Sequence, residues 1–577
     1  MLSIYYWNME SSNIITYKRL KSVILLLIFF VSIMPITVSA QNLPAWYLVS
    51  FTDKNNTPFE LDNPIEFLSQ KSIDRRLLND IAIDSVDLPV NSNYIDSLIP
   101  LNLLVYNTSK WMNAALVRVE TSNQLSQIPL ISIVDSIQYL APYVSSKSSD
   151  SKAKEQRNSK MTTKNSSQFD YQSSNYKATN NRIRMVDLDM LFEENIYGYG
   201  IDIAVFDNGF RNVNKLDAFA HLFTNNQIKE VRNFTNDGKD LYSSGSHGTG
   251  VLSTMAAVID DEFIGSAPQA NYYLFQTEDN RYEYPIEEVN WLFAAEYADS
   301  LGVDIITSSL VYSRFDDVSL DYTHAQLDGK TAIISRAAHI ASLKGIMVFN
   351  SAGNEGGGDW QKICFPSDAE GVFTIGAIDE DEYIAKFSST GNSSDGRIKP
   401  DLVAEGLQTP IVDSKGNIVK ANGTSFSTPF IAGAAATFLQ ANPNRKIKDI
   451  NNAILQSASL WNNADSIKGF GIPNFYFAQL LLQNDSTHNT GNIGNFKVLP
   501  NPFTKGFHIL LIINDSQNID VALYDMSGRN VYQKVNIHCN KGSNLIRIDY
   551  LNDLKAGMYI VKINAKSDIY SQKVIKE

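Results

Sequence analysis

Between residues 182 and 483 the sequence alternates short apolar-rich runs with longer stretches of helical spacing, and this alternation limits the fold more than any other feature. Ile201 to Phe206, Ile305 to Leu310 and Met347 to Asn350 are the strand-like runs. Helical patterns separate them, so the segment predicts an α/β domain with a parallel sheet and helices on both faces. In open sheets of this kind ligands bind just beyond the carboxyl ends of the strands. Chemistry is therefore expected from the residues that follow each run.

The flanks are organised differently. A chain of 577 residues is too long for one core, so several domains are expected. Residues 41–143 read as a small α+β unit. Its strands are Trp46 to Phe51, Leu103 to Tyr106, Ala114 to Val119 and Val134 to Leu140, and a short helix is expected over Asn123 to Leu130. Pro64 to Asp80 has helical spacing, with Ile65, Leu68, Ile73 and Leu77 as its apolar positions. The order βαββαβ is that of a ferredoxin-like fold. Residues 144–181 and 484–495 are polar linkers too poor in apolar surface to bury a core. Residues 496–577 carry short alternating strands such as Phe507 to Ile513 and Met558 to Ile563, with turns at Ser527-Gly528 and Ala556-Gly557. They predict a small β-sandwich.

Lys18, Arg19 and Lys21 precede the apolar run Val23 to Val31, and Val38-Ser39-Ala40 supplies small residues for cleavage. Residues 1–40 thus read as a signal peptide; Pro35 and the small-residue end favour it over an uncleaved anchor. The formal net charge of -13 argues against nucleic acid or an anionic membrane as a partner. The motifs require no cofactor or metal. Calcium as a structural ion stays open, without a DxDxDG-type loop to point to it. Cys364 and Cys539 fall in different domains, so neither a disulfide nor a metal cluster is expected.

Four segments of the central domain carry candidate chemistry. Ile201 to Phe206 runs into Asp207-Asn208-Gly209, a carboxylate at a strand end followed by a turn. Ser246-His247-Gly248-Thr249-Gly250-Val251 sets a histidine at the start of an apolar helix. Asn350-Ser351-Ala352-Gly353-Asn354-Glu355-Gly356 follows a strand, and the Asn354 amide could donate to a developing oxyanion. Gly423-Thr424-Ser425-Phe426-Ser427-Thr428-Pro429 opens a Gly/Ala-rich helix, whose amino end favours negative charge near Ser425. Taken singly, each reads equally well as a cap, a turn or a core residue.

Together the four segments resemble the subtilisin-like (subtilase) peptidase family in kind, order and spacing, with H-G-T-x-V at His247 and G-T-S-x-[SA]-x-P at Ser425. The resemblance implies a secreted serine endopeptidase with Asp207, His247 and Ser425 as catalytic triad and Asn354 in the oxyanion hole. It also implies that Ser309 and Leu310 bind the extended substrate, and that Ala352 and Gly353 wall the pocket for the side chain before the scissile bond. Two positions depart from the family pattern: Asn208 stands where Thr or Ser is usual, and Val311 where Gly is usual. The partners implied are protein or peptide substrates.

Residues 41–143 look like a subtilase propeptide, which implies an inhibitor released by cutting in the linker. The tail resembles the C-terminal sorting domain of the type IX secretion system, through Leu499-Pro500-Asn501-Pro502-Phe503, Leu523 to Arg529 and Ala556 to Lys562. That implies the outer-membrane secretion machinery as a partner, and release from the cell or attachment to its surface. The rival readings are a catalytically silent surface binding module, which would normally lack a triad member, and an esterase, which would normally show a G-x-S-x-G elbow.

Overall fold

The four strands Ala45–Phe51 (β1), Leu104–Ser109 (β2), Ala114–Val119 (β3) and Val134–Pro142 (β4) form one antiparallel sheet in the order β2-β3-β1-β4. With helices Gln70–Leu78 (α1) and Ser122–Gln127 (α2) between them, this is the expected ferredoxin-like arrangement. Thr121 and Gln124 form a capping box that starts α2. The computed structural model describes residues 43–144, 176–235, 238–485, 496–513, 515–539, 542–566 and 569–577. The expected signal peptide and most of the two expected linkers lie outside these residues.

The first helix departs from expectation. Residues 64–80 do not form one helix with Ile65, Leu68, Ile73 and Leu77 turned inward. Pro64–Glu66 is a single 3-10 turn, Ser69 caps α1 by accepting from Ser72 N, and Leu77 is 70% exposed. The face that α1 buries holds Ser72, Arg75 and Arg76. What it packs on is another domain, where charged and carbonyl groups await it.

The central sheet has seven strands, all parallel. They are Asp202–Asp207 (β5), Ile228–Asn233 (β6), Asn271–Gln276 (β7), Ile305–Ser308 (β8), Met347–Ser351 (β9), Val372–Ile378 (β10) and Leu402–Glu405 (β11). Their order is β11-β10-β9-β8-β5-β7-β6. Strands β5, β8, β9, β10 and β11 are buried along their whole length, as strands covered on both faces must be. Alternate side chains serve different cores. Ile203 and Val205 join Val251, Leu252, Phe430 and Ala434 from helices His247–Ala256 (α3) and Thr424–Ala441 (α6). Ala204 and Phe206 face Trp291 and Ala337 from helices Ile286–Leu301 (α4) and Ile333–Leu343 (α5).

The second core continues into the N-terminal sheet through Trp46, Leu48, Trp111, Leu116 and Leu140. Around this apolar seam lies a ring of buried charge. Asp299 of α4 meets Arg75 at 2.5 Å, Arg76 at 3.0 Å and Lys110 at 3.1 Å. Arg75 also donates to the carbonyls of Val303 and Lys344. Glu296 accepts from Ser109 Oγ and from the backbone N–H groups of Lys110 and Trp111. Burial alone would raise the Asp299 carboxyl, but the charges of Lys110, Arg75 and Arg76 hold it well below the usual carboxylate range.

The C-terminal residues form two antiparallel sheets packed face to face. One contains Phe496–Leu499, Phe507–Ile513 and Gly542–Ile548; the other contains Gln517–Asp525, Asn530–Cys539, Gly557–Asn564 and Ile569–Lys576. Phe507, Ile509, Leu523 and Val561 fill the space between them, as a small β-sandwich requires. Cys364 and Cys539 are both free thiols.

Candidate active site

Strand β5 ends at Asp207, fully buried at the carboxyl edge of the sheet. Helix α3 begins at His247, and it can approach Asp207 only because its second residue is glycine. A Cβ on Gly248 would lie 2.4 Å from the Gly209 carbonyl oxygen and 2.9 Å from Asp207 Cβ. The approach places His247 Nδ1 2.9 Å from Asp207 Oδ1 and 3.0 Å from Oδ2. Bonding to a carboxylate makes Nδ1 the protonated nitrogen of the neutral ring and leaves the lone pair on Nε2. Burial would lower the His247 pKa, but the charge and hydrogen bond of Asp207, with help from Glu278, outweigh it and leave it above the ordinary 6.5.

Asn208 supports the pair through its backbone. Its N–H donates to Asp207 Oδ1 at 2.8 Å, while its side-chain amide turns away to Asn280 Oδ1 at 3.1 Å. The support to Asp207 therefore uses a group that every residue except proline has.

Ser425 is the second residue of α6, after Gly423 at φ 154°. Its N–H is one of the helix-start donors without an intrahelical acceptor. Its carbonyl is also special. Pro429 stands four residues on, where an N–H would normally donate back, and proline has none. The Ser309 hydroxyl fills the gap, donating to Ser425 O at 2.9 Å. Asn354, past the end of β9, is held by its oxygen: Oδ1 accepts from Thr424 N at 2.9 Å and Thr424 Oγ1 at 3.1 Å. That leaves Nδ2 as the free donor. The His247 and Phe426 rings, 5.8 Å apart, join the two halves of the site. No hydrogen bond links Ser425 Oγ to His247 in this resting arrangement.

Of the other expected residues, Leu310 is buried and accepts from Asn350 Nδ2 at 3.2 Å. Ala352 is fully buried, bonded through its backbone to Ile375 O and Cys364 N. Gly353 has φ 106°, and a Cβ there would lie 2.9 Å from Ser389 Oγ. Val311 is half-buried. Two contributors escaped the sequence reading. Thr424 orients Asn354, and its place directly before Ser425 was the available signal. Glu278 acts on His247 and itself feels the charge of Asp207, and it follows by two residues Gln276, the strand partner of Asp207. Among the described residues no three His, Cys, Asp or Glu side chains group so as to hold a metal ion.

The geometry defines a doubly covered parallel α/β domain with the His247–Asp207 pair at the carboxyl edge of its sheet and the Phe426 ring of α6 5.8 Å from His247, an arrangement compatible with serine-hydrolase chemistry. Comparison with known proteins makes the class specific. Residues 198–476 match the Subtilase family, residues 46–160 the Peptidase S8 propeptide domain of Bacteroidota, and residues 497–577 a Secretion system C-terminal sorting domain. The chain thus carries a subtilase-family domain between a propeptide domain and a sorting domain, and the last marks it as secreted. Serine protease AprX of Bacillus subtilis (strain 168) is 28% identical over 311 residues, 49% of this chain and 66% of that protein. Subtilisin E of the same strain is 27% identical over 277 residues, 46% of this chain and 63% of that protein. The matched region is just under two thirds of the length of either relative. The solved structure of an Epidermin Leader Peptide Processing Serine Protease from Staphylococcus aureus shares the fold, with a TM-score of 0.51 at 14% identity over 76% of this chain and 98% of that one.

Proposed function

We propose that the protein is a secreted serine endopeptidase, made as a zymogen, that hydrolyses peptide bonds through an acyl-enzyme on Ser425. The observation that carries this reading is the His247 Nδ1 contact with both oxygens of buried Asp207, at 2.9 and 3.0 Å, beside the amino end of α6. His247 Nε2 takes the Ser425 proton as Oγ attacks the scissile carbonyl; the missing Ser–His bond forms as substrate settles. Asp207 stabilises the imidazolium. Asn354 Nδ2 and the Ser425 N–H meet the tetrahedral oxyanion. His247 then passes its proton to the leaving amine, and water repeats the sequence on the ester. Ser309 and Leu310 lie along the substrate, with Ala352 and Gly353 beside the side chain preceding the cut.

In this reading the domain boundaries fall at 143 and 182 and at 483 and 496. The N-terminal domain blocks the enzyme and can leave only once the linker is cut, and the C-terminal sandwich addresses it to the outer-membrane secretion machinery. Purified Ser425→Ala protein is expected to hydrolyse no casein and to keep its N-terminal domain, while a serine-directed phosphonate labels Ser425 in the wild type. Hydrolysis that survives Ser425→Ala overturns the mechanism.

A further inference from the structure

The segment leading from β7 into α4 holds more acid than the reaction uses. Residues 278 to 288 read Glu-Asp-Asn-Arg-Tyr-Glu-Tyr-Pro-Ile-Glu-Glu, five carboxylates against one arginine. That arginine is committed: Arg281 Nε lies 2.9 Å from both oxygens of Asp279. Glu288 is satisfied by Tyr322 OH at 2.8 Å and Ile334 N at 3.1 Å. The others are not. Glu287 is fully buried and accepts Asp279 N on Oε1 at 2.7 Å, but its Oε2 has no partner. Glu278 and Glu283 are half-buried. Burial, then Asp207 and Glu283, pushes the Glu278 carboxyl up to about 8, and burial with Asp316 pushes Glu283 up to about 7.

A second element ends at the same place. Tyr312, two residues beyond Leu310, is 2% exposed, and its hydroxyl has no partner. Beyond its burial, the charges acting on it are those of Glu287, Glu278, Glu283 and Glu288. An orphaned phenol and an orphaned carboxyl oxygen, from two segments, thus belong to one cluster of acids, and Glu278 of that cluster also acts on His247. Buried polar atoms are normally paired, so each such orphan calls for an occupant. The carboxylates are not grouped to hold a metal ion. They suit an extended organic cation.

We propose that this patch is a subsite for a lysine or arginine side chain of the substrate upstream of the scissile bond, with Glu278 and Glu287 as its specificity-determining carboxylates. The proposal rests on the endopeptidase reading. Tyr312 continues the segment of Ser309 and Leu310, so the peptide reaches it with residues ahead of the cut. A guanidinium brings positive charge and five N–H donors to oxygens that otherwise lack them. A neutral side chain leaves the same oxygens buried and unpaired, and a site built this way discriminates strongly.

The chain carries a ligand of the right chemistry. Residues 145–164 contain Lys147, Lys152, Lys154, Arg157, Lys160 and Lys164 against Asp150 and Glu155. They follow β4, whose Tyr139 lies close enough to Tyr284 and Asp317 to feel their charges. The basic stretch therefore begins a few residues past a strand that already borders the acidic segment.

The test uses processed enzyme and internally quenched peptides that differ at one position, carrying Arg, Lys, Gln or Glu at each of four places before the cut. At one place Arg or Lys should raise kcat/KM on the order of tenfold or more over Gln, and Glu should lower it. Glu278→Gln should shrink that ratio, Tyr312→Phe should weaken it, and Glu278→Lys, at a half-buried position, should invert it in favour of Glu. The ratio is read within each variant, so partial loss of folded enzyme does not imitate the effect. Indifference to charge at all four places in the wild type overturns the proposal, as does Glu278→Lys keeping the wild-type preference. Thermal stabilisation by calcium that Glu287→Gln abolishes would also overturn it, in favour of an ion site. If none of the peptides is cut, the endopeptidase reading itself fails.

Discussion

Thr424 N–H donates to Asn354 Oδ1 at 2.9 Å, so the residue directly before Ser425 decides which end of the Asn354 amide is free. Only Nδ2 is left to donate, and it lies beside the helix start that also offers the Ser425 N–H. The loss of such a donor in a subtilisin costs about 2.7–4 kcal/mol of barrier. Asn354→Ala is expected to lower kcat by a comparable factor with KM nearly unchanged; steady-state kinetics on one peptide decide it. A change confined to KM contradicts the oxyanion role.

Ser309 stands in for the N–H that Pro429 lacks. Ser309→Ala leaves the Ser425 carbonyl buried without a donor and should destabilise the protein by about 1–3 kcal/mol. Urea unfolding in the inactive Ser425→Ala background measures this without self-digestion. Ser309→Thr, which keeps a hydroxyl, should recover most of the loss.

The pH profile follows from the His247–Asp207 pair. His247 must be neutral to act as a base, and the net effect of its surroundings raises its pKa above 6.5. Activity is therefore full above that raised pKa and lost as pH falls through it, with the acid limb of kcat/KM centred above 6.5. A limb centred below 6.5 would mean that burial, not Asp207, dominates.

Asp299 ties three cations of the N-terminal domain to α4. Removing one partner of a buried charge cluster costs about 2–5 kcal/mol. In Ser425→Ala protein nicked in the linker by trypsin, the two pieces should co-elute on gel filtration. Adding Asp299→Asn should weaken their association about a hundredfold or more. Co-elution unchanged at high dilution would show that the apolar seam through Trp46 and Trp111 suffices alone.

Deleting residues 496–577 should leave a folded peptidase that is not exported, read by fractionating cells and assaying the periplasm and medium. Normal secretion of the shortened chain contradicts the sorting role.

Much of the site could be read from the sequence. Asp207 at a strand end, His247 and Ser425 at helix starts, and Asn354 in a Gly-rich turn are each ambiguous alone, and their order and spacing make them legible together. The parallel sheet was legible too, since strands buried on both faces leave apolar runs. What was not legible depends on which surfaces meet. The spacing of Ile65, Leu68, Ile73 and Leu77 suggested an apolar face, but α1 meets α4 at Asp299 and buries Arg75 and Arg76 there instead. Glu278 and Glu287 sit nine residues apart in a polar stretch, and only the fold brings Tyr312 to them. Ser309, expected along the substrate, also has its hydroxyl engaged behind Ser425. No spacing reveals that a proline will need help four residues back.

Arg75, Arg76 and Asp299 separate the cutting of the chain from the parting of its domains. All three are almost fully buried where the two domains meet, so separation exposes an aspartate on one side and guanidinium groups on the other to water. A nick in the connecting chain does nothing to these contacts. Cutting the connecting chain and parting the two domains are thus separate events.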